Sequence, residues 1–426
     1  MVMGIFLVSI FFFLLLGIPI ALSIMLTIAV LIFSTNITSF VIIPTFLFSG
    51  VNNFSLMAIP FFILAGELMN EGELSQGIIE FCRTLLGHIK AGLGYAAVLA
   101  CMMFACVSGA AVATVSAIGG VMLPLLKQEG YDAVDATAVV CAGSVTGPII
   151  PPSIPMVVFG AISGVSVTRI FVGGIVPGII AGVLVMGAWY FMNRKKDYPV
   201  YPRAKPSEVL RAGIKALPSL MMPVIMMGGM LTGVFTPTEA GVIAVVYAFC
   251  VARFLNKKMS MKQLKKTMVA AAKSSAVVMF VVAATSALAT VITVARLPQT
   301  IAAALASVSS NPLVILCLIN VIILILGLFM DVVPAVTIVA PIFLPIVTGL
   351  GVDPVVFGVI MVFGLVIGLI TPPVGSVLYI GCSVGEISLL PLLKRITPLV
   401  LVYIAALFLI TVFPGLITFL PNLLVG

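Results

Sequence analysis

The chain repeats itself at a constant offset of 221 residues, with no gap, from Val112 to Pro177. Val112 is matched by Val333, Leu123-Pro124 by Leu344-Pro345, and Gly130-Tyr131-Asp132 by Gly351-Val352-Asp353. Gly143 and Gly147 meet Gly364 and Gly368, Pro151-Pro152 meets Pro372-Pro373, Gly160 and Gly164 meet Gly381 and Gly385, and Pro177 meets Pro398. Each copy therefore carries a double proline inside an apolar stretch. Two successive prolines remove two backbone donors and interrupt a helix.

Composition decides what such a break means. Of 426 residues 62% are hydrophobic and only 8% charged, and the mean hydropathy is +1.35. A soluble globule needs more polar surface than this. Spans of about 20 apolar residues are predicted near 4–33, 55–70, 92–107, 112–127, 168–192, 217–234, 238–255, 274–295, 312–330, 333–349 and 396–420. Shorter broken regions, 133–166 and 354–388, read as re-entrant helical hairpins. The first apolar stretch lacks a basic leader and a small-residue cleavage site, so it reads as a span. Interrupted backbone at membrane depth is tolerated only where protein or a water-filled cavity satisfies it. Matching interruptions in two halves point to the sites of a secondary transporter.

The halves are 1–192 and 217–426, joined by a polar linker at 193–216. An odd number of spans in each would invert one half relative to the other, the basis of alternating access. Lys and Arg cluster at 194–215 and again at 257–273, which places both segments in the cytoplasm by the positive-inside rule. Nucleic-acid binding would need a solvated basic domain, and none is present. Two stretches, 73–91 and 256–273, read as amphipathic helices lying along the membrane or as ordinary connections. The seven scattered cysteines form no CxxC pair and read as small buried hydrophobes. Thr236-Pro237-Thr238-Glu239 reads as a capping box, which gives Glu239 a structural role.

Four hydroxyls, Thr146, Ser153, Thr371 and Ser376, lie at the level of the double prolines. Freed carbonyls there can bind a cation, and new helix N-termini can attract an anion. The bland alternative is a pair of plain kinks. Ahead of each hairpin the apolar run is interrupted again, at Ser108-Gly109 and at Gly327 to Asp331. Asp331 suits an ion or proton role, or caps the helix that follows. Arg296 is the only basic residue between Lys273 and Lys394. Its guanidinium could hold a carboxylate, or simply snorkel to the interface. Gly381-Cys382-Ser383-Val384-Gly385 fits a hydrolase pattern, but the only histidine is His88, in the other half, so the glycines read as helix-packing residues. No phosphate-binding loop or clustered acid, base or metal set is present, so the chain reads as neither an enzyme nor an ATP-driven pump.

The run Ala58-Ile59-Pro60 through Gly66-Glu67, the Pro151-Pro152-Ser153 turn, Phe235 to Ala240, and Gly368 through Gly375 resemble the large membrane subunit of tripartite ATP-independent periplasmic (TRAP) transporters. The resemblance covers almost the whole chain. It implies an all-α, elevator-type membrane protein of the bacterial inner membrane, driven by sodium and importing a carboxylate such as sialic acid, another sugar acid or a C4-dicarboxylate. It implies a small membrane subunit, expected as a separate chain, and a soluble periplasmic substrate-binding protein. By the same resemblance, one sodium would sit between Ser108-Gly109 and the turn around Gly147, Ile150 and Pro152. A second would sit between Gly327 and the turn around Thr371 and Gly375. Ala110-Ala111 stand where the family often has serines, which puts side-chain ligation there in doubt. A stand-alone sodium-coupled carrier with the same hairpins is the alternative. The sequence does not choose among the substrates.

Overall fold

The computed structural model describes residues 2–35 and 38–425, and all regular structure among them is helical. The first half contains α1 (Val2–Leu15), α2 (Ile20–Thr35), α3 (Ile42–Val51), α4 (Ala58–Glu71), α5 (Ser75–Leu86), α6 (Gly92–Ser108), α7 (Ala111–Gln128), α8 (Ala133–Ser144), α9 (Ile154–Ser163) and α10 (Val167–Asn193). The second contains α11 (Pro206–Leu231), α12 (Pro237–Cys250), α13 (Met261–Val294), α14 (Leu297–Val308), α15 (Pro312–Phe329), α16 (Val332–Gly349), α17 (Pro354–Ile367), α18 (Ser376–Gly385), α19 (Leu389–Val412) and α20 (Gly415–Leu424). Nine of the described helical segments are long and apolar enough to cross a membrane.

Four boundaries differ from the sequence reading. The span expected at 4–33 is two helices, because Gly17 turns with φ +75° and Pro19 cannot continue the ladder. The span expected at 396–420 divides between α19 and α20 at Pro414. The linker is irregular only to residue 205, since Pro206 and the Glu208 capping contact start α11 there. The stretch 256–273 is not a separate helix. Ser260 and Gln263 form a capping box, and α13 then runs 34 residues unbroken. At about 1.5 Å per residue α13 is about 51 Å long, well beyond a bilayer's ~30 Å core. Its exposed Lys262, Lys265 and Lys266 occupy the surplus length. The constant offset instead pairs the amphipathic α5 with α14, and α3 plus α4 with α13.

The repeat is literal in the backbone. Gly130 and Gly351 both turn at φ +79°, which a side chain rarely adopts. Asp132 then caps α8 through Val134 N, and Asp353 caps α17 through Val355 N, at 3.0 and 2.7 Å. Each double proline contains a cis bond. The hairpins pack reciprocally: α9 lies on α16 and α17, while α18 lies on α7 and α8. Glycines permit this approach. A Cβ on Gly358 would lie 2.3 Å from the Phe159 ring, and one on Gly381 2.2 Å from Cys141 Sγ. Gly381 and Gly385 thus belong to a helix-packing face, as expected. Glu239 accepts from Thr236 N at 2.8 Å in the expected capping box.

Candidate ion and substrate site

The first junction forms where α6 stops. Gly109 takes φ +61°, and Ala110 is extended before α7 begins. Ser108 Oγ lies 2.9 Å from Thr114 Oγ1, and Thr114 donates to Ala110 O at 2.9 Å. The turn of hairpin 1 closes against this break. A Cβ on Gly109 would lie 2.6 Å from Pro152 O, and one on Gly147 3.2 Å from Ala110 O. Ser108, Gly109, Gly147 and Pro152 therefore come together in a region rich in carbonyl oxygen, the donor type a hard cation takes. Ala110 O already accepts from Thr114 N at 3.1 Å and from the Thr114 and Ser108 hydroxyls. Ile150 belongs to the same turn, but its side chain packs toward Gly178 of α10. Thr146 donates to Gly143 O at 2.7 Å, and Ser153 donates to Pro148 O while capping α9. Both hydroxyl protons are thus committed within the hairpin.

The second junction repeats the arrangement with different details. Gly327, near the end of α15, meets Gly368 so closely that a Cβ on Gly368 would lie 2.0 Å from Gly327 O. Val374 N donates to Leu328 O at 3.2 Å across the same contact. Thr371 donates to Ile367 O at 2.7 Å, and Gly375 turns back with φ +33°. Gly327 thus meets the turn at Gly368, and Gly375 lies against Thr371 O within that turn. Ser376 Oγ is buried and has no hydrogen-bond partner among the described residues, which leaves it open to a ligand. Asp331 is exposed and caps α16 through Val332 N at 2.8 Å. The capping alternative describes its contacts.

Arg296 precedes α14 at φ +54°, is exposed, and makes no side-chain hydrogen bond or ion pair among the described residues. Its helix packs on α13 and α16.

Two features were missed by sequence reasoning. The first is a cavity of about 570 Å³ between α3 with its following turn, α13, the end of α9, and α16. Its wall is mostly apolar, its polar lining is hydroxyl and amide, and among the described residues no charged side chain lines it. Thr285 Oγ1 lies 2.9 Å from Thr337 Oγ1, and Asn53 donates to Ala161 O at 3.0 Å. These bonds tie α13 to α16 and the 52–57 turn to hairpin 1. The available signal was a hydroxyl stripe at helical spacing, Thr285 to Thr293 and Ser286 to Thr290, inside an apolar span.

The second feature is Asp135, buried in the first turn of α8. It is bound by Arg395 of α19, with one contact at 2.9 Å, and by Lys196 beyond α10. Burial would lower the Lys196 pKa, but the Asp135 carboxylate holds it above the usual lysine value.

Two interrupted hairpins, packed reciprocally among spans and closing on broken helices, define a multi-pass membrane protein with a secondary-transporter fold. The YdaH transporter of Alcanivorax borkumensis has this fold, with a TM-score of 0.64 at 15% identity over 87% of each chain. Residues 7–416 match the family described as Tripartite ATP-independent periplasmic transporter, DctM component. The 2,3-diketo-L-gulonate TRAP transporter large permease protein YiaN of Escherichia coli is 38% identical over 401 residues, 94% of each chain. The C4-dicarboxylate TRAP transporter large permease protein DctM of Pseudomonas aeruginosa is 38% identical over 376 residues, 88% of each chain. The chain belongs to this family of TRAP transporter large permeases.

Proposed function

We propose that the chain imports an organic acid across the bacterial inner membrane, driven by a sodium gradient. One sodium is bound at each helix–hairpin junction. The observation that carries this reading is the pair of junctions itself, where two glycine-limited contacts bring the carbonyls of a broken helix against a broken hairpin. Sodium ions are the coupling ions, and no other cofactor enters. The body containing both hairpins slides against α4, α12 and α13 as an elevator, which breaks and remakes contacts such as Thr285–Thr337. A small membrane subunit (Q) accompanies the chain in the lipid, and a periplasmic binding protein (P) delivers the carboxylate. Arg296 is proposed to attract that carboxylate, and Thr146, Ser153, Ser376 and Asp331 to lie along its route. The two relatives' names pair one scaffold with two different acids, so fold alone does not set the substrate.

The test is uptake of labelled gluconate, sialic acid and succinate into proteoliposomes holding the chain and its small subunit. Sodium gradient and binding protein are each supplied or withheld. Uptake that needs both is the expected result. Uptake indifferent to the binding protein would identify a stand-alone carrier, and uptake indifferent to sodium would remove the coupling.

A further inference from the structure

We infer that the chain carries a phospholipid site: one acyl chain lies in an apolar groove between α1, α14, α15 and α16, and Arg296 holds the phosphate of an anionic headgroup. The inference goes beyond the transport reading and does not rest on it.

The groove has a volume of about 370 Å³, and every side chain on its wall is apolar. An apolar cavity of about 150 Å³ already stays dry and admits benzene. Water would find no polar partner in this larger one. Leu7 and Ala304 are exposed on its wall, so the groove opens at the protein surface. In a membrane-spanning chain that surface faces hydrocarbon, and a lipid tail is the apolar body at hand. The wall runs from Leu297, at the start of α14, to Met330, just beyond α15. Phe11 on it stands edge-on to Phe329, with ring centroids 5.6 Å apart. An elongated, flexible occupant suits this shape.

Comparison of the two halves argues against loose packing alone. In the first half α5 is fastened to α11 by polar bonds. Ser219 Oγ donates to Leu74 O at 2.8 Å, and Lys215 pairs with Glu80 at 3.0 Å. The two helices also touch closely, since a Cβ on Gly77 would lie 2.8 Å from Lys215 O. At the constant offset Gln76, Glu80, Arg83 and Thr84 of α5 become Leu297, Ile301, Ala304 and Leu305 of α14. All four replacements line the groove. One helix meets protein through charged and polar groups; its counterpart turns four apolar side chains toward a gap.

Charge selects the lipid. Arg296 directly precedes Leu297, is exposed, and has no ion-pair partner among the described residues. The lysine-rich start of α13 belongs to the cytoplasmic side by the positive-inside rule. The far end of this 34-residue helix then carries Arg296 to the outer interface, at the level of the headgroups. An arginine there keeps its stem on apolar surface and its head in water. The guanidinium fork matches two phosphate oxygens. Phosphatidylglycerol offers that phosphate with a net negative charge, whereas the cation of phosphatidylcholine offsets it. The carboxylate proposed above for Arg296 would reach it only by exchange with this phosphate.

The test is photo-crosslinking in proteoliposomes that hold the complex of the chain and its small subunit. The vesicles are phosphatidylcholine with a minor fraction of phosphatidylglycerol or phosphatidylcholine bearing a diazirine in one acyl chain. Adducts are mapped by mass spectrometry, and labelling of the groove wall on α1 and α14 is read against the exposed Leu401 of α19. The phosphatidylglycerol probe is expected to label the groove about fivefold more than the phosphatidylcholine probe, with Leu401 labelled alike by both. Arg296→Gln should bring the two probes level in the groove. Ala304→Phe should fill the groove and remove its labelling by both probes, leaving Leu401 unchanged. Both positions are exposed, so neither substitution disturbs the buried core. Excess inorganic phosphate should leave the labelling intact, because it has no tail. Its suppression by inorganic phosphate would identify a free-anion site and overturn the lipid. Groove labelling no greater than that of Leu401 with either probe overturns the site. Equal labelling of the wild-type groove by both probes, or a phosphatidylglycerol preference that survives Arg296→Gln, overturns the role of Arg296.

Discussion

Gly368→Ala should separate a sodium site at the second junction from mere helix packing. The added Cβ would lie 2.0 Å from Gly327 O, and both partners are backbone, so no rotamer change relieves the clash. Hairpin 2 and the end of α15 must part by about 1 Å or more to reach van der Waals distance. Overpacking of this kind costs about 1–3 kcal/mol, or about 5- to 150-fold in any equilibrium that needs the contact closed. The proposed ion lies in that contact, so the cost should appear in sodium affinity. The assay is thermal unfolding of the purified chain titrated with sodium chloride against choline chloride. Sodium stabilises by RT ln(1 + [Na]/Kd), so the sodium concentration at which the melting temperature begins to climb reports Kd without substrate or partner. The variant should require about tenfold more sodium. Gly349→Ala, with open space around its Cβ, should titrate as wild type, and Gly147→Ala, whose nearest atoms lie at 3.1 Å, should fall between. A Gly368→Ala titration that overlays the wild type would refute the reasoning.

Asp135→Asn should lower stability by about 2 kcal/mol, less than the ~3–5 of a fully buried pair, because Arg395 and Lys196 are each part exposed. A thermal midpoint unchanged from wild type would show that the cluster contributes nothing. The raised Lys196 pKa makes its part of this stability complete below the ordinary lysine value and lost only as pH climbs beyond it. The wild-type advantage over Asp135→Asn should therefore shrink only in alkaline melts. Thr371→Ala should weaken sodium dependence, and an unchanged sodium half-saturation would remove that hydroxyl from the site. Arg296→Ala should abolish uptake while leaving assembly intact by size exclusion, whereas normal uptake kinetics would return Arg296 to a snorkelling role.

The hairpins were legible because their signals are local and backbone-dictated. A double proline can do little else in an apolar run, and Gly-x-Asp specifies both a positive-φ turn and an N-cap. The junction glycines were legible as repeat positions and interruptions of apolar runs, but their pairing came only through the family resemblance, since contact between Gly327 and Gly368 is a long-range fact. Continuity of α13 was obscured by composition. Its lysine-rich first turns and apolar remainder look like two helices, and nothing in helical periodicity marks where one ends. In the first half the matching stretch is broken at Asn52-Asn53, where Asn53 caps a short 3-10 turn before α4. That asymmetry opens the cavity. The Asp135 cluster was hidden for another reason, because its partners lie 61 and 260 residues away along the chain.

The two hairpins share an ancestry in sequence but not a mechanical state. Every residue of the hairpin 1 turn from Val145 to Ser153 is buried, and its base is clamped by Asp135 to α19 and to the segment beyond α10. In hairpin 2 the matched position is Val356, which cannot form such a clamp, and Pro372, Pro373 and Val374 are exposed at the turn. Local opening is cheapest where little apolar surface must be uncovered and few bonds broken. Of the two tips, hairpin 2 should therefore be the one that opens to admit or release an ion. A cysteine placed at Val374 should react with a soluble maleimide, and faster when sodium is withdrawn. One placed at Ile150 should react slowly under both conditions. Equal, sodium-independent reactivity at the two positions would mean that the clamp at Asp135 does not distinguish the hairpins.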